Sequence, residues 1–206
     1  MLLSLPPQSP RRITLLNPFF EGRSLLSATF VNGAACAAEG VVLDGVDDYI
    51  AAAPFEFGGP VSFEVYVKYD SFGKDSPLFD FGGGAASDNV ILYNENTTST
   101  IVLSVHQGST WKGLLTSNFD TATWTHAVVT VSGSNMKLYK NGVLVGTNTD
   151  GHEPNVVTRT QHWLGRSTSY NGGYFDGTIA YLKIWHGVEV EKLPPEYSPL
   201  LRHCRL

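Results

Sequence analysis

The stretch Trp124–Thr147, WTHAVVTVSGSNMKLYKNGVLVGT, decides the fold. Ala127, Val129 and Val131 alternate with Val128 and Thr130, and a Ser-Gly-Ser-Asn turn separates them from the next apolar segment. Asn141-Gly142 then favours a type I′ hairpin turn, because both central residues of that turn need a positive φ and these two types tolerate it. The stretch therefore predicts three consecutive antiparallel strands.

The turn also predicts the register of the second hairpin. A two-residue turn at Asn141-Gly142 makes three cross-strand pairs: Tyr139 with Leu144, Leu138 with Val145, and Met136 with Thr147. Met136 and Leu138 then share one apolar face, which a slip of one residue would expose to water. The register is therefore well specified.

The composition is typical of a turn-rich all-β protein. The chain has 206 residues, of which 42% are hydrophobic and 16% charged, and it contains 21 glycines. Its net charge of −5 and the lack of a basic run argue against a nucleic-acid partner. No apolar run reaches the roughly 20 residues that a membrane-spanning helix needs.

The distribution of strands predicts one large domain. Val61–Tyr69 alternates strictly between apolar and polar residues, and roughly a dozen such short strands follow one another without an amphipathic helix. This pattern predicts an all-β, two-sheet antiparallel β-sandwich of the jelly-roll type. We expect an N-terminal arm or leader over residues 1–20, the domain over 21–190, and a tail over 191–206.

The ends of the chain bear on localisation. The first residues, MLLSL, resemble the start of a signal peptide, but Pro6-Pro7 interrupts them before an apolar region of about 7–15 residues is complete. We expect an extracellular or surface location. The two cysteines, Cys36 and Cys204, could join the two ends of the domain, although two unrelated thiols is the interpretation that we favour.

Six segments, in this order and spacing, resemble the laminin-G-like, concanavalin A-like jelly-roll superfamily. The resemblance covers about residues 40–190 and implies a lectin-like sandwich. The segments are LDGVDDYI (43–50), SFEVYVK (62–68), LFDFGGGAASDNVIL (78–92), WTHAVVTV (124–131), LYKNGVLV (138–145) and YFDGTIAYLKIWHG (174–187).

Within that superfamily, Asp88-Asn89 resembles the Asp-Asn pair with which pentraxins ligate calcium. The resemblance implies one Ca²⁺ at Asp88 and Asn89, with Asp80 and Asp176 as further contributors of the oxygens that calcium prefers. Arg166-Ser167-Thr168 replaces the Glu, Gln and Asp run of pentraxins, and the pentraxin cysteine pair on two core strands is missing, so a double calcium site is not expected. The alternative is that Asp88 and Asn89 only shape a turn.

A denser carboxylate cluster, Asp44, Asp47 and Asp48, lies around an Asp-Gly turn signal. In the superfamily that this chain resembles, such a motif commonly begins the first core strand. We interpret the cluster as part of the turn rather than as a metal site.

Carbohydrate binding is the function that the aromatic residues favour, because aromatic rings stack on sugars and nearby polar groups bind the hydroxyls. Trp124, Trp163 and Trp185 lie within strand patterns and are expected in the core. Arg166 could pair with an anionic group, although a solvated loop arginine is the interpretation that we favour. The candidate ligand-binding residues, in or beside predicted loops and strand ends, are Tyr93, His106, Trp111, Tyr170 and Tyr174.

Catalytic patterns are missing from the sequence. Jelly-roll glucanases carry alternating acids on one strand, whereas Val61–Lys68 contains only Glu64, and there is no Gly-x-Ser-x-Gly or His-x₃-His motif. The sequence therefore predicts a non-enzymatic, lectin-like module that binds a glycan or a protein surface. The alternatives are a structural or assembly module that forms oligomers without binding sugar, and a diverged glycan-active enzyme.

Overall fold

The computed structural model describes residues 28–85, 87–116, 119–167 and 172–187. The arm predicted over residues 1–20 and the tail predicted over 191–206 lie outside these ranges. Within them, no helix is long and apolar enough to cross a membrane.

The described residues form sixteen β-strands. They are β1 (Ala28–Val31), β2 (Ala35–Cys36), β3 (Val41–Asp44), β4 (Tyr49–Ala52), β5 (Phe55–Phe57), β6 (Val61–Ser71), β7 (Pro77–Gly82), β8 (Val90–Asn94), β9 (Ile101–Gln107), β10 (Thr110–Thr116), β11 (Trp124–Ser132), β12 (Asn135–Lys140), β13 (Val143–Asn148), β14 (Val157–Arg159), β15 (Gln161–Leu164) and β16 (Asp176–His186).

Two seven-stranded antiparallel sheets form a sandwich. Sheet I has the order β1-β4-β15-β7-β8-β9-β10, and sheet II has the order β13-β12-β11-β6-β16-β3-β2. A third, two-stranded sheet joins β14 to β5. The prediction of an all-β jelly-roll sandwich is therefore confirmed.

Strand β6 shows why the sheets pack face to face. Its alternate apolar residues are at most 1% exposed and belong to the core between the sheets, whereas the residues between them point to the outer face of sheet II. Phe63 of β6 packs against Phe79 and Phe81 of sheet I, with ring centroids 4.9 and 6.1 Å apart. The inward residues of β6 are Val61, Phe63, Val65 and Val67.

The predicted register of the β12–β13 hairpin is correct next to the turn and wrong beyond it. Tyr139 pairs with Leu144 as predicted, but a bulge then shifts the register by one residue. The predicted partners Val145 and Thr147 are replaced, and the observed pairs are Leu138 with Gly146 and Met136 with Asn148.

The bulge has a steric cause in the opposite sheet. A Cβ atom added at Gly146 would lie 3.3 Å from side-chain atoms of both Leu114 and Thr116 on β10. A valine would not fit at this inward position, so the extra residue places Gly146 there and leaves Val145 38% exposed.

Two segments that show no strand pattern in the sequence, residues 54–60 and 151–160, each contain a short strand. Each strand has three residues, which is too short for an alternating pattern to be visible in the sequence. They form because β5 and β14 pair with each other, with Phe57 opposite Val157. The pairing depends on tertiary structure.

Cys36, at the end of β2, is disulfide-bonded. The expectation of two unrelated thiols is therefore wrong for Cys36, because cysteine spacing carries no information on pairing. The second cysteine of the chain, Cys204, lies outside the described residues.

Candidate functional site

The outer face of sheet I collects polar and aromatic side chains from five strands. Alternate residues of β7, β8 and β9 enter the core, so the residues between them point outward. One row across the sheet consists of Trp163, Asp80, Ile91, Ser104 and Gly113. The neighbouring row contains Asn89, His106 and Trp111.

Trp111 supplies the exposed aromatic surface of this face. It is 55% exposed, and its indole lies across Gly113 on the same strand. A Cβ atom added at Gly113 would lie 2.8 Å from Cζ3 of the indole, so this arrangement requires glycine. The ring is thus supported by the backbone of β10 and remains accessible.

His106 is the cross-strand neighbour of Trp111 and is 7% exposed. Its Nε2 lies 3.1 Å from the hydroxyl of Ser104, whereas its Nδ1 is buried without a hydrogen-bond partner among the described residues. Burial and the nearby His152 lower the pKa of His106, so the ring is neutral at pH 7.

Asp80 and Asn89 form a buried polar pair beside this row. The amide of Asn89 donates to Asp80 Oδ1 over 2.7 Å, and the hydroxyl of Ser167 donates to Oδ2 over 2.6 Å. Asp80 and Asn89 are at most 2% exposed. The pair joins β7 and β8 to the segment that follows β15.

The side chain of Asp88 has different partners from that of Asn89. Asp88 Oδ1 accepts hydrogen bonds from the backbone N–H of Gly108 and the amide of Asn155, and its backbone carbonyl accepts one from the Arg159 guanidinium. The bond from Gly108 lowers the pKa of Asp88. Asn89 Oδ1 accepts from the Ser87 N–H.

These contacts do not fit a calcium site. Calcium requires about six to eight oxygens that converge on one point. Here, N–H donors occupy oxygens of both Asp88 and Asn89, and the cation of Arg159 lies 2.7 Å from the Asp88 carbonyl. A calcium ion at this turn stays a prediction that the described contacts do not support.

Arg166 follows β15 and lies over two aromatic rings. Its guanidinium carbon is 4.0 Å from the ring centroid of Trp163 and 4.8 Å from that of Tyr49. The two rings contact each other with centroids 5.6 Å apart. The three side chains form a cation–π cluster four strands away from Gly113 along the same row.

The structure brings together three of the five residues predicted to bind a ligand. Tyr93, on β8, shares the outer face of sheet I with His106 and Trp111. Tyr174 lies apart from them, in the segment before β16 and next to Gly73. Tyr170 lies outside the described residues.

The outer face of sheet II carries a polar cluster that sequence reasoning missed. It surrounds Glu64 of β6, which is 1% exposed. Oε1 accepts hydrogen bonds from the Tyr181 hydroxyl (2.9 Å) and the Lys183 ammonium (3.2 Å), Oε2 accepts one from the Trp185 indole (3.3 Å), and His126 Nε2 lies 3.3 Å from Oε1.

This cluster keeps Glu64 ionised. Burial by itself raises the pKa of the carboxyl group, but the hydrogen bond with His126 and the charge of Lys183 outweigh it and lower the pKa to about 2. One feature of the sequence could have located this cluster: Glu64 is the single acid of an alternating strand and lies among the polar residues of one face.

The prediction that Trp124, Trp163 and Trp185 belong to the core is wrong. All three are partly exposed and lie on outer faces, because their strand neighbours occupy the inward positions. Trp124 stacks on Tyr66 with centroids 4.8 Å apart, and Tyr66 stacks on Tyr181 at 6.0 Å. This row belongs to the outer face of sheet II.

The carboxylates of Asp44, Asp47 and Asp48 approach one another to within 4.8 Å. Those of Asp44 and Asp48 accept backbone hydrogen bonds: Asp48 from the N–H groups of Gly33 and Asp44, and Asp44 from that of Val46. The interpretation of this cluster as part of a turn agrees with these bonds.

The family of the chain follows from its sequence and agrees with this fold. A family model described as the concanavalin A-like lectin/glucanases superfamily matches residues 44–189. The chain therefore belongs to this superfamily. No curated protein sequence matches it significantly.

Several solved structures share the fold. Domain 4 of AbnA, a GH43 extracellular arabinanase from Geobacillus stearothermophilus in complex with arabinotriose, is 21% identical with a TM-score of 0.56, over 88% of this chain and 82% of that one. The CBM40 of a Ruminococcus gnavus IT-sialidase, bound to α2,3-sialyllactose, is 13% identical with a TM-score of 0.58, over 76% and 94%. Domains LG4-5 of the mouse laminin α1 chain are 12% identical with a TM-score of 0.51, over 79% and 42%.

Proposed function

We propose that this protein is a non-catalytic carbohydrate-binding module that takes a glycan on the outer face of sheet I. The observation that carries the proposal is the position of Trp111, an exposed indole supported by Gly113 and adjacent to His106. Two structures with the same fold, the arabinanase domain and the CBM40, hold oligosaccharides, which supports the same class of ligand here.

The chemistry of the face suits a sugar. A pyranose ring has an apolar face that stacks on an indole, and hydroxyls that require hydrogen-bonding groups at its edges. Trp111 provides the first. Of the polar residues next to it in the sheet, His106 is 7% exposed, whereas Ser104 and Asn89 are buried and support the face from beneath. The rigid sheet positions these groups before the ligand arrives, which lowers the entropic cost of binding.

The two buried carboxylates of the outer faces, Glu64 and Asp80, favour binding over hydrolysis. Glycosidases hold two carboxyl groups about 5–10 Å apart across the scissile bond. The buried carboxylates of the two outer faces, Glu64 and Asp80, point away from each other on opposite sides of the sandwich, whose sheets are themselves roughly 10 Å apart. They therefore do not form a catalytic pair.

A glycan-binding measurement with two variants tests the proposal. We expect Trp111→Ala to weaken binding of the best glycan found on an array by about tenfold or more, because truncation of a tryptophan that anchors an interface commonly costs about 2 kcal/mol or more. Leu144→Ala is the matched control, since Leu144 is an apolar residue of similar exposure, 49%, on sheet II. Equal affinities for the wild type and Trp111→Ala would contradict the proposal.

We also propose an extracellular or surface location for this protein. The disulfide at Cys36 supports it, because disulfides persist in oxidising compartments. Release of the protein from cells into the medium or to the cell surface, measured with a C-terminal tag, tests this part of the proposal.

The edge of sheet II favours a second candidate function, an assembly module. Its edge strand β13 exposes three consecutive apolar residues, Val143, Leu144 and Val145, at 64%, 49% and 38%. Exposed apolar edge strands pair with other chains. Light scattering after size exclusion tests this function. If it holds, the wild type is an oligomer and Val143→Lys is a monomer. If it does not, both proteins are monomers.

A further inference from the structure

Two arginines of this chain, Arg159 and Arg166, have opposite surroundings. Arg159 is fully buried, and its guanidinium donates to the carbonyls of Asp88, Phe57 and Asn155 over 2.7, 2.5 and 3.0 Å. Its donors are occupied by the protein, so it is a structural residue. Arg166 differs from Arg159 in the partners of its guanidinium.

Arg166 is held in place by aromatic rings alone. Its guanidinium lies over Trp163 and Tyr49, and it has no hydrogen-bond or ion-pair partner among residues 28–85, 87–116, 119–167 and 172–187. A guanidinium has five N–H donors in a planar fork. Stacking uses its face and leaves these donors, which lie in its plane, without an acceptor among the residues that the structure describes.

The neighbouring residues fix the position of this guanidinium. Gly165, with φ of +87°, turns the chain directly after β15. On the other side, Ser167 donates to Asp80 over 2.6 Å and anchors the backbone that follows Arg166. The backbone is therefore fixed on both sides of Arg166, which positions its side chain before any ligand binds.

We propose that Arg166 recognises a carboxylate, and that the glycan bound on the outer face of sheet I is an acidic oligosaccharide containing a uronic acid or another carboxylated sugar. The inference rests on the proposed function. The planar fork of Arg166 matches the two oxygens of a carboxylate in a bidentate pair. A lysine would supply the charge without this geometry.

The distance along the face agrees with an oligosaccharide. Trp163 and Gly113 lie in one row, separated by four strand spacings, or about 19 Å. Trp111 lies across Gly113, and Arg166 lies over Trp163. A ligand that contacts both would have to be an oligosaccharide that passes over Asp80, Ile91 and Ser104, which are at most 2% exposed and do not contact it.

Matched ligand pairs test the inference with the full chain. The probes are oligosaccharides of glucuronic, galacturonic and mannuronic acid, each compared by calorimetry with its carboxyl-reduced neutral counterpart, and sulfated oligosaccharides form a third arm. We expect wild type to bind an acidic form about tenfold or more tightly than its neutral counterpart. Arg166→Gln should remove this preference, Arg166→Lys should restore only part of it, and Trp111→Ala should weaken both forms.

The outcomes separate this inference from the proposed function. Equal binding of acidic and neutral forms, unchanged in Arg166→Gln but weakened in Trp111→Ala, would overturn the role of Arg166 and leave the glycan face standing. A preference for the sulfated probes over the uronic acids would also overturn the carboxylate assignment. No binding of any glycan by wild type would overturn both proposals. Melting curves of Arg166→Gln confirm that the variant is folded.

Discussion

The indole of Trp111 rests on Gly113, two residues further along β10, where an added Cβ would stand 2.8 Å from Cζ3 of the ring. The glycine thus determines the height of the indole above sheet I. The same hypothetical atom would lie 3.3 Å from the carbonyl oxygen of Leu103, which is backbone and gives way less easily than the indole.

We therefore expect Gly113→Ala to displace the indole and weaken glycan binding without unfolding the domain. The affinity should fall by about tenfold, close to the effect of Trp111→Ala, because both changes remove the same stacking surface. Combining the two substitutions should add little. If the losses of affinity from the two substitutions added fully in the double variant, Gly113 would act independently of Trp111.

The Glu64 cluster should contribute to stability through its charge. Glu64→Gln keeps the shape of the side chain but leaves Lys183 without its carboxylate. We expect a loss of about 3 kcal/mol at pH 7, which lowers the melting temperature by roughly 6–12 °C in a domain of this size. Asp150→Asn is the control, since Asp150 pairs with Lys112 at the exposed surface, where water and salt screen the pair, and this substitution should change the melting temperature far less.

Stability should also fall as the pH is lowered from about 6.5 to 4, because of His162. Burial lowers the pKa of His162 from its ordinary value of 6.5 to about 4, so in this range the unfolded chain binds a proton that the folded chain does not. Urea unfolding should show a decrease of about 3 kcal/mol from this residue. In His162→Gln, whose amide can replace the contacts with Phe55 and Arg159, that part of the decrease should disappear.

Calcium binding can be tested independently of glycan binding. Because N–H groups occupy the oxygens of Asp88 and Asn89, we expect the same melting temperature in millimolar calcium and in chelator. A bound ion at about 100 times its dissociation constant would instead raise it by roughly 5–10 °C. Such a rise, absent in Asp88→Ala, would establish the predicted calcium site at this turn.

Local sequence predicts the elements whose causes are local. The strict alternation of Val61–Tyr69 predicts β6 because it matches the two-residue period of a strand. Asn141 and Gly142 predict their turn because both adopt a positive φ, 50° and 79°, at low cost. Local sequence also singled out Trp111 and His106 as candidates, because polar and aromatic residues at strand ends are frequent in binding sites, and their role in ligand binding stays a prediction.

Tertiary contacts decided the features that this reasoning missed. The bulge in β13 depends on Leu114 and Thr116 of the other sheet, and β5 exists because β14 pairs with it. Neither partner lies nearby in the sequence, so no local pattern could show them.

The sequence by itself determined that this chain is a two-sheet sandwich with aromatic residues at strand ends, because the period of two and the turn chemistry act over a few residues. The tertiary structure alone decided which polar groups meet: Lys183 reaches Glu64 across 119 residues of sequence, and Arg166 reaches Tyr49. The physical reason is that the register between distant strands follows from core packing between the two sheets, and that register places the outward side chains next to one another.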